Sequence, residues 1–220
     1  MANLFFLRKY VIWYANRSFE ALTIHTIVLV ILLWYNCTMR RFFFCILIFC
    51  CCYLSAQVTE ADFVVRDKVL VRYRGMSRDV VIPPRLGINR IGERAFAGSA
   101  ITSVVIPMGV GHIDDQAFMN CSFLRRVTLP NTVIVLGRRA FFNCTLLENI
   151  NIPRSLITIG EGAFYNCRSL RIVNIPDTVR NLGTRAFAGC TGIQSLSISR
   201  RTTLGNNPFM GIPVKITFRD

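Results

Sequence analysis

The sequence predicts a repeat solenoid: short parallel β-strands joined by turns, with few helical turns, stacked as five 23-residue coils and a degenerate C-terminal coil. Three observations predict it. Cys121, Cys144, Cys167 and Cys190 follow one another at 23-residue intervals. Phe96, Phe118, Phe141, Phe164 and Phe187 each stand after an alanine at nearly the same spacing. An apolar residue precedes a proline once per unit, at Pro83, Pro107, Pro130, Pro153 and Pro176. Self-similarity at a fixed period is the mark of stacked repeats, in which each unit buries its apolar side only against its neighbours.

Laid together, one unit reads L-x-x-I-x-I-P-x-x-x-x-x-(I/L)-G-x-x-A-F-x-(N/G)-C-x-x. In the copy that starts at Leu124, Val127 and Leu129 alternate as on a half-buried strand, with Leu124 entering from the preceding bend. Pro130 has no N–H to give to a ladder, so strand pairing ends there and the chain turns. Leu136-Gly137 reads as a bend, and the glycines at 137, 160 and 183 suit a positive φ or a close approach of backbone. Ala140-Phe141 then puts a small and a large side chain inward, each Phe stacking on the Phe of the next coil. The cysteine that follows reads as a small buried apolar residue of the core. No metal is expected, because zinc sites use short CxxC spacings that this repeat lacks. Parallel strands lie about 4.7–4.9 Å apart, so five coils extend roughly 25 Å.

The end units depart from the period. Residues 83–92 form a stretch two residues longer than its counterparts, and Ser99 stands at the cysteine position. At the other end Phe209 follows Pro208 instead of alanine, and Ile216 and Phe218 close the pattern. Terminal coils of a stack meet solvent on one side and are expected to be atypical. Residues 83–220 are therefore assigned to the array.

The chain is 52% hydrophobic, with a mean hydropathy of +0.43. Much of that excess lies before Ala56, in LTIHTIVLVILLWY (residues 22–35) and FFFCILIFCCCYL (residues 42–54). Neither run reaches the ~20 apolar residues of a membrane-spanning helix. The second follows Met39-Arg40-Arg41 and leads to Ser55-Ala56, the layout of a secretory signal peptide, although Leu54 stands where a small residue is preferred. Residues 39–56 are read as a signal peptide or membrane anchor. Residues 1–38 form an apolar extension, explained either by a start assigned too early or by the two runs anchoring the chain as a short hairpin. Cys50-Cys51-Cys52 would leave with a cleaved signal. Any membrane contact is expected through this N-terminal region alone.

The formal net charge is +14. Residues 1–56 hold five basic residues and one acidic residue, so the remainder keeps 21 basic against 11 acidic, a net +10. After residue 56 the only lysines are Lys68 and Lys215, and arginine pairs bidentately with carboxylate and phosphate-like groups. An anionic macromolecule is a suitable partner by charge. No nucleic acid is expected, since neither an interleaved aromatic platform nor a nucleic-acid fold motif is legible.

If L-x-x-I-x-I is the strand, its outward positions form columns. The outermost holds Val105, Thr128, Asn151, Asn174 and Ser197; the next holds Ser103, Arg126, Asn149, Ile172 and Ser195; the third holds Thr102, Arg125, Glu148, Arg171 and Gln194. A strand with one buried side carries a polar opposite side in any case. Repeat arrays also bind through such sheets, so Arg125, Arg126, Thr128, Glu148, Asn149, Asn151, Arg171, Ile172 and Asn174 are the candidate binding residues. A second basic set, Arg94, Arg138, Arg139, Arg180 and Arg185, is placed on the bends and read as a solvated rim.

Catalysis is not expected. After residue 56 the one histidine is His112, with no partner motif for general-base chemistry. Asp114-Asp115 looks like a carboxylate pair, yet Asp114 only replaces the repeat glycine. No phosphate-binding glycine loop or nucleophile motif occurs, and no cofactor is expected.

The unit as a whole resembles the BspA-like leucine-rich repeat, including its treponemal-type members, over roughly residues 63–218. The lead-in FVVRDKVL (residues 63–70), Tyr73-Arg74-Gly75 and Val80-Val81-Ile82-Pro83 is similar to the cap that precedes such arrays, and residues 57–82 are read as an N-terminal cap hairpin. The resemblance implies a leucine-rich-repeat solenoid of the α/β horseshoe class. It also implies export, to the periplasm or surface of a bacterium, and a role in protein binding or adhesion. The functional expectation is a non-enzymatic exported scaffold that binds a macromolecule on its parallel-sheet face. The alternative is a structural envelope component that associates with itself.

Overall fold

The structure is a computed structural model, and it describes residues 58–220. The extension 1–38, the segment 39–56, its Cys50-Cys51-Cys52 run and residue 57 of the cap assignment lie outside the described residues.

Each coil begins with the strand that the L-x-x-I-x-I pattern predicts. In β7 (Arg126–Thr128), Val127 is buried between two exposed neighbours. β3 (Asp79–Val81), β5 (Ser103–Val105), β7 and β9 (Asn149–Ile150) pair side by side in that order, all parallel. β11 (Ile172–Asn174), β13 (Ser195–Ser199) and β15 (Thr217–Arg219) continue the pattern as a separate three-stranded parallel sheet.

The (I/L)-G segment, expected as a bend, is a second strand. β4 (Arg90–Ile91), β6 (His112–Ile113), β8 (Val135–Leu136), β10 (Thr158–Ile159), β12 (Asn181–Leu182) and β14 (Thr203–Leu204) lie in one parallel ladder. That ladder is extended by β2 (Val69–Tyr73), which pairs antiparallel with β1 (Phe63–Arg66), making eight strands. Two residues are too few to show a period in sequence. They form a strand because every neighbouring coil offers the same two residues in register, as Thr158↔Val135 and Ile159↔Leu136 do.

The third side of each coil has no strand, yet its main chain is laddered too. The Phe118 N–H donates to the Ala140 carbonyl at 2.8 Å, and Phe141 does the same to Ala163 at 2.8 Å. Among the described residues there is no α-helix. Two single 3-10 turns, Glu60–Asp62 and Pro84–Leu86, supply all the helical character. The leucine-rich-repeat solenoid of parallel strands and few helical turns is thus the observed fold.

Between the three sides runs a single core. Phe96, Phe118, Phe141, Phe164 and Phe187 are buried and stacked, with centroids 4.8, 5.1, 5.4 and 4.9 Å apart from one to the next. Tyr73 of the hairpin caps the column 5.1 Å from Phe96. Phe209 ends it, 6.2 Å from Phe187. The four repeat cysteines are buried and unpaired. Their thiols donate to the Phe carbonyl of the preceding coil: Cys121 to Phe96 at 3.0 Å, Cys144 to Phe118 at 3.1 Å, Cys167 to Phe141 at 3.2 Å and Cys190 to Phe164 at 3.0 Å. The cysteine therefore satisfies a buried acceptor that alanine or valine would leave with one partner fewer.

Gly137, Gly160 and Gly183 answer the choice between positive φ and close approach. A Cβ at Gly160 would lie 2.6 Å from the Gly137 carbonyl carbon, and one at Gly137 would lie 2.7 Å from that of Asp114. The left-handed conformation falls two residues later, at Arg94, Gln116, Arg139, Gly162 and Arg185.

Candidate interaction face

The candidate residues stand on the first-strand face. Arg125, Arg126, Thr128, Asn149, Asn151, Arg171, Ile172 and Asn174 are exposed, and Glu148 is partly so. The register aligns Ser103↔Arg126↔Asn149 and Val105↔Thr128 in one sheet, and Ile172↔Ser195 and Asn174↔Ser197 in the other. The columns expected to run unbroken through all five coils are therefore interrupted between Asn149 and Ile172, because β9 and β11 do not pair.

Arg125 and Glu148 do not act as independent anchors. Nη1 of Arg125 donates to Glu148 Oε1 at 2.7 Å across adjacent coils. Such an exposed pair contributes little to stability, but it takes up one guanidinium and the one carboxylate among the candidates. The guanidinium groups of Arg126 and Arg171 make no hydrogen bond or ion pair within the described residues and are the basic groups available on this face. At the N-terminal edge Asp79 Oδ1 accepts from Ser103 Oγ at 2.6 Å and Thr102 Oγ1 at 2.9 Å, and these bonds hold its carboxyl below the usual range. Ile172 is 62% exposed.

On the turn side the structure places an aromatic pair that the sequence analysis passed over. Phe142 and Tyr165 stack 4.9 Å apart, and the Arg139 guanidinium lies 5.7 Å from the Phe142 ring centre. The signal was present in the position after each Ala-Phe, which reads Met119, Phe142, Tyr165 across three coils. Both rings are partly exposed.

The core cysteines are closed to solvent. Burial, and then the neighbouring Cys121 for Cys144 and Cys190 and Cys144 for Cys167, pushes these two thiols well above their ordinary value. Thiolate is the reactive form, and burial disfavours it at both positions. Among the described residues no three His, Cys, Asp or Glu side chains gather as metal ligands.

Comparison with known proteins places this geometry. The family model described as "BspA type Leucine rich repeat region" matches residues 89–215 in six copies. A solved leucine-rich repeat protein of T. pallidum is 26% identical, with a TM-score of 0.59 over 74% of this chain and 85% of that one. A leucine rich cell surface protein of Faecalibacterium prausnitzii is 26% identical, with a TM-score of 0.57 over 73% of this chain and 54% of that one. A leucine-rich repeat protein of Bacteroides ovatus is also 26% identical, with a TM-score of 0.50, covering 74% of this chain and 51% of its own length. No curated protein matches. With six copies of the unit matched over more than half of its length, the chain belongs to the BspA-type leucine-rich repeat family.

Proposed function

We propose that this chain is a non-enzymatic, exported scaffold that binds a macromolecular partner, most suitably an acidic protein surface, through its first-strand face. The observation that carries the reading is the in-register pair of exposed Arg126 and Asn149 with Thr128 on the same strand and Arg125 before it, and with Ile172 and Asn174 on the next sheet after Arg171. Parallel strands hold the backbone of these residues at a fixed spacing, so little loop freedom is lost on binding. Arginine is enriched among residues that dominate interfaces, and a net +10 beyond residue 56 steers acidic partners toward the array. Export is supported by the signal-like segment 39–56 and by a relative described as a cell surface protein.

A photo-crosslinking residue placed at Thr128 in the intact cell tests the face. A discrete adduct at Thr128, absent when the same residue is placed at exposed Asn181 on the opposite ladder, is the expected result. Equal labelling from both positions, or none from either, would sink the reading. Protease added to intact cells tests export in the same strain. Self-association is the second reading, favoured by Ile172, which is aliphatic and largely exposed on the strand face. It requires a mass in solution above that of one chain and a fall to one chain with Ile172→Glu.

A further inference from the structure

The hairpin that caps the array, with the loop that follows it, is densely basic. Arg66, Lys68, Arg72, Arg74 and Arg78 are all exposed, and none of the five side chains makes a hydrogen bond or ion pair within the described residues. Residues 66–78 hold these five basic groups against one acidic group, Asp67, a net +4. The other carboxylates nearby are already engaged. Glu60 pairs with Arg85, Asp62 Oδ2 accepts from the Thr59 N–H at 2.7 Å, and Asp79 Oδ1 accepts from the Ser103 and Thr102 hydroxyls. Apolar side chains stand among the cations: Met76 is 95% exposed, and Val71, which the β1–β2 register passes over between Leu70 and Arg72, is also exposed.

These residues stand at the end of the array where the chain enters it. β1 ends the eight-stranded ladder, and the Arg74 N–H donates to the Asp62 carbonyl at 2.7 Å, which ties the 74–78 loop to the entering segment. The apolar run of residues 42–54 ends four residues before Val58, the first described residue. Four residues span at most about 14 Å, so whatever holds Leu54 keeps this end of the array close by. Leu54 itself, standing where a signal-cleavage site prefers a small residue, favours retention of the run. The run is too short to cross a bilayer by itself, and a weak apolar anchor holds firmly only when a basic patch adds a second attachment. The opposite end of the array differs: Arg200 pairs with Asp220 at 2.7 Å and Arg219 with Asp177 at 3.0 Å, leaving Arg201 and Lys215 as its unpaired cations.

We propose that the cap hairpin and the 74–78 loop lie on the surface of an anionic phospholipid bilayer, to which the retained run 42–54 delivers them. Clusters of about four to eight basic residues beside a membrane segment recognise anionic lipid. The guanidinium groups donate to lipid phosphates, and Met76 enters the interface between headgroups and acyl chains. Membrane contact thus extends from the apolar region into the folded array. Nearness to the apolar run is what favours lipid over an acidic protein as the partner of this end. The surface lies apart from the strand face and stands or falls without that reading.

The full chain reconstituted in vesicles tests this, with the photo-crosslinker benzoylphenylalanine in place of Met76 or of exposed Met210 at the far end of the array. The vesicles are phosphatidylcholine alone, or phosphatidylcholine mixed with phosphatidylglycerol. Irradiation is expected to attach lipid at position 76, several-fold more in the anionic vesicles than in the neutral ones, and little at position 210 in either. Raising the salt from about 0.1 M to about 1 M shortens the screening length from ~10 to ~3 Å and should bring the anionic yield down to the neutral one. Replacing three of the cations together, Arg72→Gln, Arg74→Gln and Arg78→Gln, should do the same at low salt, since their side chains support no contact within the array. The salt comparison needs no variant, so the proposal is tested even if the triple variant folds poorly. It is overturned if position 76 takes up no lipid, if the two kinds of vesicle give equal yields, if salt leaves the yield unchanged, if a folded triple variant labels like the parent, or if position 210 labels as strongly as position 76.

Discussion

A Cβ on Gly160 would stand 2.6 Å from the carbonyl carbon of Gly137, whereas one on Gly162, two residues on, would make only ordinary contact, 3.5 Å from Arg139 Cγ, at a φ of 58°. The first is glycine because the next coil's backbone leaves no room, and backbone cannot give way as a flexible side chain can. The second needs only tolerance of the left-handed region, which Arg139 and Arg185 meet at the same position of their coils. Gly160→Ala is therefore expected to lower stability by about 1–3 kcal/mol, and Gly162→Asn by less than about 1 kcal/mol, read from urea midpoints. Equal losses would show that close approach is not the constraint. Asp114 occupies the same place as Gly160 in its own coil and is partly buried. Burial raises its pKa, and Arg90, 3.5 Å away, pulls the other way without cancelling it. A carboxyl raised in the folded state takes up a proton on folding, so its destabilising effect is absent at low pH and grows as pH rises through the carboxylate range. Asp114→Asn should therefore unfold later than the parent at pH 7 and together with it near pH 3, where both states hold the proton. A stability difference of the same size at both pH values would refute this assignment.

Among the elements, the first strand of each coil was legible because three inward positions, as in Leu124, Val127 and Leu129, alternate with outward ones before a proline. The second strand was not, since a lone Val135-Leu136 or Thr158-Ile159 carries no period, and its strand state comes from the copies above and below. The same limit hid the break between β9 and β11. Asn151 and Asn174 occupy the same repeat position and are the same residue, yet only Asn151 turns its side chain into the ladder to bond Leu129 on both its N–H and its carbonyl. A related amide ladder on the turn side follows directly from the repeat: Asn166 Nδ2 donates to Asn143 Oδ1 at 2.8 Å, and Asn143 Nδ2 to Asn120 Oδ1 at 3.2 Å. These three residues are in the left-handed region, where asparagine is tolerated.

Across the whole array, no coil holds its core alone. Leu124, Val127, Leu129, Val133, Leu136, Phe141 and Cys144 of one coil are all buried, and they are covered above and below by their counterparts. Burying such a side chain contributes ~1.5–3 kcal/mol, while ordering one backbone residue costs ~1–2 kcal/mol. The seven buried side chains of one coil do not offset the ordering of its 23 residues, so a coil is stable only between neighbours. Deleting residues 138–160 joins Gly137 to Glu161 in the repeat's own frame. The shortened chain is expected to fold, with a lower urea midpoint and a denaturant slope smaller by roughly one part in seven. An unchanged midpoint would mean that the coils are independent. Complete loss of structure would mean that this coil is required to nucleate the rest.

The sequence by itself determined the period, the inward Phe and Cys columns, the parallel first strands and the basic character of the surface, because each is repeated and repetition makes a weak local signal strong. Only the tertiary structure decided which glycines are there for space, that Arg125 is engaged by Glu148, and that one interface between coils departs from the rest. Those features depend on distances between residues 22 or 23 positions apart, or 44 in the case of Arg219 and Ile175, and on single departures from the consensus. A periodic pattern averages such departures away.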